Sequence, residues 1–473
     1  MQLAHGMLVC GRTNQSTPHT AMPVTNETQV RQAADVNQRL NGTRSSAWRR
    51  SRQELTLPEI LAEIERIADL PLNRATTLPK EAFTSDDYFA WECENLFHPG
   101  WTCLAHVSQL PLAGDFINVD FLGEPLIVVR DKSQEVHVLS RSCPHRGMDI
   151  MPPGFGHDGH GPAEYRQGSQ DRGQTRLFLC PYHSWTFELD GQLKACPEMG
   201  QAEGFERCEW ALKEFRSEIW NGFVFVNLDG NAEESVQTQY EDLATNMTPW
   251  HIAEMHVVFE THWDIPCNWK VLAENFMESY HHAGAHVKTL QPIMPARGTW
   301  TETEKSNFIR CHLPYGDKVR REIVDVESNG SQWDTFPLVE GLDDPARHEW
   351  GLVMGYPLFT MVTAPDQVVW YRIEPVAPDQ LRLLTSILVP ESTTRHPQFA
   401  EMLERGKKEA TEFHLEDMEM LSAVQRSLYS DGYQRGRLSH LEMPIWLIQR
   451  YLAAKIRGTK PTLDRDAAPA QCP

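Results

Sequence analysis

Two short segments of the chain each hold a cysteine and a histidine with one or two residues between them, and no other feature constrains the fold as strongly. The first is Cys143-Pro-His145 and the second is Cys180-Pro-Tyr-His183. Thiolates and imidazoles are the side chains that bind transition metals such as zinc and iron. Both segments read as loops that follow β runs. The chain therefore has to fold so that two loops deliver four ligands to one metal centre.

These four ligands match a Rieske centre, in which two cysteines bind one iron of a [2Fe–2S] cluster and two histidines bind the other. A structural zinc site with two cysteines and two histidines is the alternative. Such sites usually pair cysteine with cysteine, and alternation of cysteine with histidine is uncommon in them. Pro144, Gly147 and Pro181 fit tight loops whose backbone N–H groups face the cluster sulfurs. The sequence favours the iron–sulfur centre, which accepts an electron and passes it on.

The longer motifs, Cys143-Pro-His-Arg-Gly147 and Cys180-Pro-Tyr-His-Ser-Trp185, resemble the Rieske domain of the ring-hydroxylating oxygenase α subunits. One departure is the spacer of residues 146–179, which is about twice the length usual in that family. The excess is rich in glycine, glutamine and charged residues. It predicts a surface loop inserted over residues 152–175.

A second group of candidate ligands lies between residues 268 and 286. Glu278 and His281 are three residues apart and would share a helix face, whereas a regular helix would separate His281 from His286 by about 140°. Gly284 offers a place where the helix can break so that both rings converge. Two histidines and one carboxylate on one side of Fe(II) leave positions for O₂ and substrate. With 20 histidines in the chain, chance pairs are the alternative, and the Rieske motif strengthens the metal interpretation.

The third iron ligand is assigned by resemblance. Residues 412–425 resemble the helix that supplies this ligand in the family, which makes Asp417 the choice and Glu416 the neighbouring alternative. Ser422 and Ser427 depart from the residues that relatives often have there. The implied triad is His281, His286 and Asp417.

The resemblance also implies a role for Glu278. In the family the equivalent carboxylate bonds to the nearest iron-binding histidine and to a Rieske histidine of the next subunit in a head-to-tail trimer. The implied electron route runs from His183 of one chain to Glu278 and His281 of the next. The alternative is an ordinary exposed glutamate on a helix surface. Glutamate here resembles the subgroup that oxidises quaternary ammonium compounds. His282 does not fit the ligand spacing and is predicted to be structural.

A chain of 473 residues predicts two or three domains. A helix is expected over residues 57–70, and three β runs are expected at 116–121, 126–130 and 136–139. The predicted fold class is α+β, with a small antiparallel β domain and, by resemblance, a helix-grip catalytic domain. The predicted ranges are a disordered tail at 1–52, the Rieske domain at 83–205, the catalytic domain at 206–455 and a C-terminal tail at 456–473.

Charge and hydropathy exclude several classes of function. Lys and Arg total 44 against 65 Asp and Glu, and the net charge of −21 disfavours binding to nucleic acid or to anionic membranes. No apolar run is long enough for a transmembrane helix, and the N-terminus is a poor signal peptide. Ten cysteines are too few for a disulfide framework. A cytoplasmic location is expected.

The resemblance implies the terminal oxygenase of a multicomponent system, which hydroxylates a small organic substrate with O₂. Electrons would come from an NAD(P)H-dependent reductase, with or without a ferredoxin, because the chain has no nucleotide-binding motif. The assembly would be a homotrimer, or a heterohexamer with a β subunit. Ring hydroxylation, oxidative demethylation and monooxygenation of a quaternary ammonium compound stay open. A Rieske electron carrier and an inactive scaffold are the alternative classes, which the second set of ligands disfavours.

Overall fold

The computed structural model describes residues 55–151, 171–302, 307–329 and 336–460. The predicted tail at 1–52 and most of the predicted loop and C-terminal tail, residues 152–170 and 461–473, lie outside the described residues. Within the described ranges, no helix has both the length and the apolar character needed to cross a membrane.

The described residues alternate between helical and strand segments. The helices are α1 (Leu57–Ala68), α2 (Glu81–Thr84), α3 (Asp86–Glu92), α4 (Val236–Gln239), α5 (Glu241–Met247), α6 (Trp269–Phe276), α7 (Asp317–Asn329), α8 (Asp344–Arg347), α9 (Glu391–Thr394), α10 (Phe399–Leu428) and α11 (Met443–Ile456). The strands are β1 (Trp101–His106), β2 (Asp115–Phe121), β3 (Glu124–Arg130), β4 (Val136–Ser140), β5 (Arg172–Gln174), β6 (Phe178–Leu179), β7 (Thr186–Phe187), β8 (Leu193–Ala195), β9 (Arg216–Trp220), β10 (Phe223–Asn227), β11 (His256–Ile265), β12 (Trp300–Thr301), β13 (Phe308–Pro314), β14 (Glu349–Gly355), β15 (Phe359–Thr363), β16 (Val368–Ala377) and β17 (Gln380–Val389). The predicted helix at 57–70 and the three predicted β runs are confirmed.

Two small antiparallel sheets carry the cysteine and histidine loops. Their strand orders are β4-β3-β2-β5 and β6-β7-β8. Strand β5 corrects the predicted loop at 152–175, because Arg172–Gln174 pairs with β2 and belongs to the sheet. Arg172 also forms an ion pair with Glu260 on β11. The end of the predicted insertion is therefore anchored to both parts of the molecule.

The largest sheet is antiparallel with the order β11-β17-β16-β15-β14-β13-β12. The first four residues of β16 carry no charge and alternate between two buried clusters: Val369 and Tyr371 enter one, while Val368 and Trp370 enter the other. A strand that is buried on both faces needs no polar alternation. Helices α6 and α10 contribute to the first cluster, and strands β1 and β10 contribute to the second. The α+β class is confirmed.

The segment that precedes β1 packs against the catalytic helices. Lys270 Nζ at the start of α6 lies 2.6 Å from Glu92 Oε1 at the end of α3, and both side chains are fully buried. The carbonyl oxygen of Phe83 accepts hydrogen bonds from Asn268 and Gln425. The predicted Rieske range begins at residue 83, but the segment from Phe83 to Glu92 contacts α6 and α10. The sequence does not indicate these contacts, because the partner residues are distant along the chain.

Candidate metal centres

The two cysteine loops have the same backbone geometry. Cys143 N donates to Met148 O at 2.8 Å, and Cys180 N donates to Trp185 O at the same distance. The fifth residue of each loop has a positive φ, which is 69° at Gly147 and 61° at Ser184. Glycine adopts this conformation without cost, whereas serine is strained there. Two equivalent turns thus present their cysteine and histidine side chains to a common space.

The side chains of these loops converge. Cys143 and Cys180 are buried, and the hydrogen bond between their thiols lowers the pKa of Cys180 to about 6 and raises that of Cys143. The His145 and His183 rings are half-buried with centroids 4.6 Å apart, and the His145 ring stacks on Trp185 at 4.8 Å. Buried sulfurs with partly exposed imidazoles fit a Rieske cluster, whose histidine-bound iron faces outward to exchange electrons.

The second group of ligands does not lie on one continuous helix, which corrects the predicted geometry. Helix α6 ends at Phe276, and His281 lies on a 3₁₀ turn, Tyr280–Ala283. The chain leaves the helix before Glu278, so the predicted break at Gly284 comes eight residues too late. The change of direction brings His281 and His286 together, which a regular helix would prevent.

The rings of His281 and His286 meet a carboxylate from the long helix α10. His286 Nε2 lies 3.0 Å from Asp417 Oδ1, and His281 Nε2 lies 3.7 Å from the same oxygen. One ligand atom from each of the three residues lies within 4.8 Å of the others. Two imidazole nitrogens and one carboxylate oxygen on one side of a point fit Fe(II) with open positions.

Glu416, the alternative third ligand, occupies a different position. Its Oε2 lies 2.7 Å from Nδ1 of His286, the nitrogen that faces away from Asp417. It also accepts a hydrogen bond of 2.6 Å from Thr289 Oγ1. Asn275 Nδ2 donates to Asp417 Oδ1 at 3.0 Å. Thr289 and Asn275 carry no sequence signal for this supporting role, whereas the adjacency of two acidic residues on α10 points to Glu416.

Electrostatics in this group follow from burial and from the neighbouring carboxylates. Burial acts to lower the pKa of His286, but hydrogen bonds to Asp417 and Glu416 outweigh it and raise that pKa. Burial and the neighbouring His281 lower the pKa of His282 to about 4. The Nδ1–H of His282 can donate to Met294 O at 3.3 Å. The ring of His282 is therefore held by the backbone, as its predicted structural role requires.

Glu278 lies beside the iron ligands and is buried, with 9% of its surface exposed. Its Oε1 lies 2.7 Å from Nδ1 of His281. Its Oε2 accepts backbone hydrogen bonds from Tyr280 and His281. This carboxylate is therefore hydrogen-bonded to the His281 ring on the nitrogen that does not face Asp417, and it is not an ordinary surface glutamate.

A cavity opens onto the three candidate ligands, His281, His286 and Asp417. Its wall is mainly aliphatic and aromatic, with Leu272, Phe276, Leu313, Tyr371, Phe413 and Met418 among its residues. None of the described residues that line it is a lysine or an arginine. The cavity therefore offers a mainly apolar space beside the candidate ligands, with no lysine or arginine to pair with a substrate carboxylate.

Two family models match the chain. The model of the Rieske [2Fe-2S] domain matches residues 100–215, and that of the ring hydroxylating alpha subunit (catalytic domain) matches residues 252–458. Together they cover more than half of the chain. Their ranges contain the two cysteine loops and the iron ligands.

Several curated proteins are similar over most or part of their length. The carnitine monooxygenase oxygenase subunit of Acinetobacter pittii (strain PHEA-2) is 26% identical over 371 residues, which cover 77% of this chain and 88% of the relative. The biphenyl 2,3-dioxygenase subunit alpha of Rhodococcus jostii (strain RHA1) is 31% identical over 231 residues, 46% of this chain and 45% of the relative. The chloroplastic choline monooxygenase of Arabidopsis thaliana is 22% identical over 80% of this chain and 82% of its own length.

Solved structures share the fold. The quaternary ammonium Rieske monooxygenase CntA aligns with a TM-score of 0.68 and 24% identity over 83% of this chain and 98% of that chain. Naphthalene 1,2-dioxygenase from Rhodococcus sp. aligns with a TM-score of 0.65 and 18% identity over 85% of this chain and 97% of that chain. With two metal-binding constellations, two family models and these relatives in agreement, the chain belongs to the Rieske non-haem iron oxygenases, as an α-type terminal oxygenase with a [2Fe–2S] cluster and a mononuclear iron.

Proposed function

We propose that the seven ligands act in two sets. Cys143, His145, Cys180 and His183 hold the Rieske cluster. His281, His286 and Asp417 hold the mononuclear iron. The observation that carries this assignment is the convergence of the second set, with ligand atoms within 4.8 Å of one another at the end of an apolar cavity.

Glu278 is the proposed bridge for electrons that arrive from the cluster of a neighbouring subunit. Its bond of 2.7 Å to His281 and its burial support this role over that of a surface glutamate. The half-buried His183 imidazole gives the cluster an outward edge that could reach such a carboxylate. Because Glu278 does not contact the proposed iron position, it acts through His281.

The bound iron supplies the activation of O₂ for hydroxylation of the substrate. The protein's own contribution is to fix the three ligands and to surround the open side with apolar walls. Leu272, Phe276 and Leu313 exclude water from that space, and Tyr371 lines it with an aromatic face. Exclusion of water suppresses side reactions while the substrate is held.

The proposed substrate is a small organic molecule with no carboxylate near the reacting carbon. The cavity lining supports this, because it contains no lysine or arginine that could pair with a buried carboxylate. A quaternary ammonium or methylated amine is the second candidate. Phe276, Trp350, Tyr371 and Phe413 favour it, since aromatic faces bind such cations. The similarity to carnitine and choline monooxygenases supports the same class.

Substrate-dependent O₂ uptake with a surrogate reductase tests the substrate class. The matched pair is a trimethylammonium alcohol and its neutral tert-butyl isostere, and aromatic hydrocarbons form the comparison set. Turnover of the cation alone would establish the second candidate. Turnover of neutral aromatic compounds alone would reject it.

The proposed assembly is a homotrimer or a heterohexamer with a β subunit. An NAD(P)H-dependent reductase is the proposed electron donor, with or without a ferredoxin, and the proposed location is cytoplasmic. Mixed trimers of a Cys180→Ala chain and an Asp417→Ala chain test the route between subunits. Recovered activity at interfaces that pair an intact cluster with an intact iron is expected. No recovery in mixed trimers verified by mass would reject the route.

A further inference from the structure

His312 lies outside the proposed ligand sets, yet it is the centre of a buried polar cluster. It is 5% exposed, and its Nδ1 lies 2.7 Å from Glu349 Oε1. Its Nε2 lies 3.2 Å from Glu302 Oε1, and Arg310 Nη1 lies 3.2 Å from the same oxygen. Two carboxylates can both be satisfied by the ring only when both of its nitrogens carry a proton. The arrangement is therefore complete when His312 is an imidazolium.

The His312 ring also holds an exposed indole. Trp300 on β12 is directly opposite His312 on β13, and their rings are parallel with centroids 3.7 Å apart and an interplanar angle of 1°. Trp300 is 44% exposed, which is unusual for an indole. A protonated imidazole against the face of an indole is attractive in the same way as other cations over aromatic rings. His312 therefore fixes the position of Trp300.

Trp300 is joined to the turn that carries Glu278. Its chain neighbour Thr299 donates its hydroxyl hydrogen to Ala296 O at 2.8 Å. Ser279 Oγ lies 2.8 Å from Thr299 Oγ1, so Ser279 must be the donor in that hydrogen bond. Ser279 is buried and directly follows Glu278. A continuous path of contacts thus runs from His312 through Trp300 and Thr299 to the backbone beside Glu278.

Strand β13 reaches the cavity that Glu278 also lines. Burial raises the pKa of Cys311 to about 12, with Glu302 and Glu278 adding to it against a hydrogen bond from Thr301. Cys311 directly precedes His312 on β13 and is buried. Leu313, the next residue, lines the cavity. The polar cluster around His312 thus lies behind the wall of the cavity, and not within it.

We propose that His312 is a positioning residue for electron transfer, which clamps Trp300 and thereby holds the turn that orients Glu278 against His281. The inference rests on the proposed role of Glu278 as the bridge. Electron transfer through a hydrogen-bonded carboxylate depends on its exact placement, and a displacement of about 1 Å can cost orders of magnitude in rate. Neither His312 nor Trp300 belongs to the proposed ligand sets or lines the cavity.

Protonation of the clamp gives the proposal a pH dependence. The charged groups that face His312 are Glu302 beyond β12, Glu349 on β14 and Arg310 on its own strand. Burial acts to lower the pKa of His312, but the two carboxylates outweigh it and raise that pKa. The imidazolium therefore persists above the usual value of about 6.5. The clamp is complete at low pH and loses one carboxylate bond as pH rises through the raised pKa.

The test is a single-turnover experiment on the reconstituted holoenzyme, in which reoxidation of the reduced cluster is followed by absorbance with substrate and O₂ present. His312→Gln is expected to slow reoxidation about tenfold, with unchanged iron content, Rieske EPR signal and substrate KM. The alkaline decline of the wild-type rate should be absent from this variant. Trp300→Leu, at a partly exposed ring, should slow reoxidation similarly, and the double variant should add little.

His137→Gln is the matched control. His137 also lies between two carboxylates, 2.7 Å from Glu214 and 3.4 Å from Asp131, but on strand β4 of the Rieske sheet. It should reoxidise at the wild-type rate. If His137→Gln slowed reoxidation equally, the His312 effect would be a general result of removing a histidine from between two carboxylates, and the proposal would be overturned.

The benchmark is Glu278→Gln. If this variant reoxidises normally, the bridge fails and the clamp fails with it. If Glu278→Gln stalls while His312→Gln and Trp300→Leu both react like the wild type, the clamp alone is overturned. Loss of mononuclear iron in His312→Gln would also overturn the clamp, because the polar cluster around His312 would then support the metal site and not the bridge.

Discussion

Glu416 and Asp417 bond to opposite nitrogens of one imidazole: Glu416 Oε2 lies 2.7 Å from His286 Nδ1, and Asp417 Oδ1 lies 3.0 Å from His286 Nε2. Adjacent residues on a helix point about 100° apart, so a single turn of α10 can address a ring from two sides. This geometry supports the proposal that Asp417 is the residue on the metal side. In that proposal Glu416 fixes the tautomer and orientation of the ring.

Substitutions at these two positions should therefore have different effects. Asp417→Ala should lose the mononuclear iron and retain the Rieske EPR signal. Glu416→Gln should retain the iron but bind it about 10- to 100-fold more weakly, because an outer partner of the ligand ring is weakened. Chelator competition with iron quantification measures both. Loss of iron in Glu416→Gln but not in Asp417→Ala would reverse the assignment.

The Rieske assignment predicts the spectrum of the reduced protein. His145→Ala and Cys180→Ala should abolish the Rieske-type EPR signal, because each removes one of the proposed cluster ligands. Intact protein should contain about three irons per chain, two in the cluster and one at the triad. Two irons per chain would indicate an electron carrier. A colourless protein that binds stoichiometric zinc after anaerobic reconstitution with iron and sulfide would contradict the cluster.

The insertion between the cysteine loops can be shortened at a defined place. Replacement of residues 152–170 by a short Gly/Ser link should preserve the cluster spectrum, because a change in loop length costs little closure entropy. The matched deletion of 152–175 also removes strand β5 and the ion pair of Arg172 with Glu260. It should lower the melting temperature relative to the shorter deletion. Loss of the cluster in both variants would show that the segment is required for the Rieske core.

The buried pair of Lys270 and Glu92 predicts an asymmetric mutational response. Burial lowers the pKa of Lys270 and raises that of Glu92, and each group opposes the shift of the other. Phe83, Tyr88 and Trp269 surround the ammonium at 5.1–5.4 Å. Lys270→Met should lower the free energy of unfolding by about 3–5 kcal/mol, because it leaves a buried carboxylate unpaired.

The control for this pair is the double variant Lys270→Met with Glu92→Leu. It removes both charges and keeps apolar volume, so its stability should lie closer to the wild type than that of either single variant. Denaturant unfolding measures all three. Equal and additive losses would show that the pair contributes no coupling.

The candidate cluster ligands could be proposed from the sequence because their spacing is local. Cys143 with His145, and Cys180 with His183, carry their pattern within four residues. The third ligand needed the resemblance, since Asp417 is remote from His281 in sequence. The division of labour between Glu416 and Asp417 could not be predicted, because both offer the same chemistry and only the rotation of α10 separates them.

The features that sequence analysis placed wrongly depend on contacts between distant segments. The exit of the chain from α6 at Phe276 has no glycine or proline to signal it. Strand β5 is three residues long and is recognisable only by its pairing with β2. Nothing near Glu92 announces that its partner is Lys270, far along the chain.

The bond between Glu92 and Lys270 shows how the two domains are arranged along the chain. The catalytic domain includes helices that precede β1 as well as segments that follow β10. The Rieske domain is therefore an insertion within the sequence of the catalytic domain. A fragment that starts at residue 206 would expose the surface that the N-terminal helices cover. It would also leave the Lys270 ammonium in an apolar environment without Glu92. The two domains are therefore not expected to be separable by a single cut in the gene. An exchange of the Rieske domain between relatives should use two junctions, near residues 100 and 227.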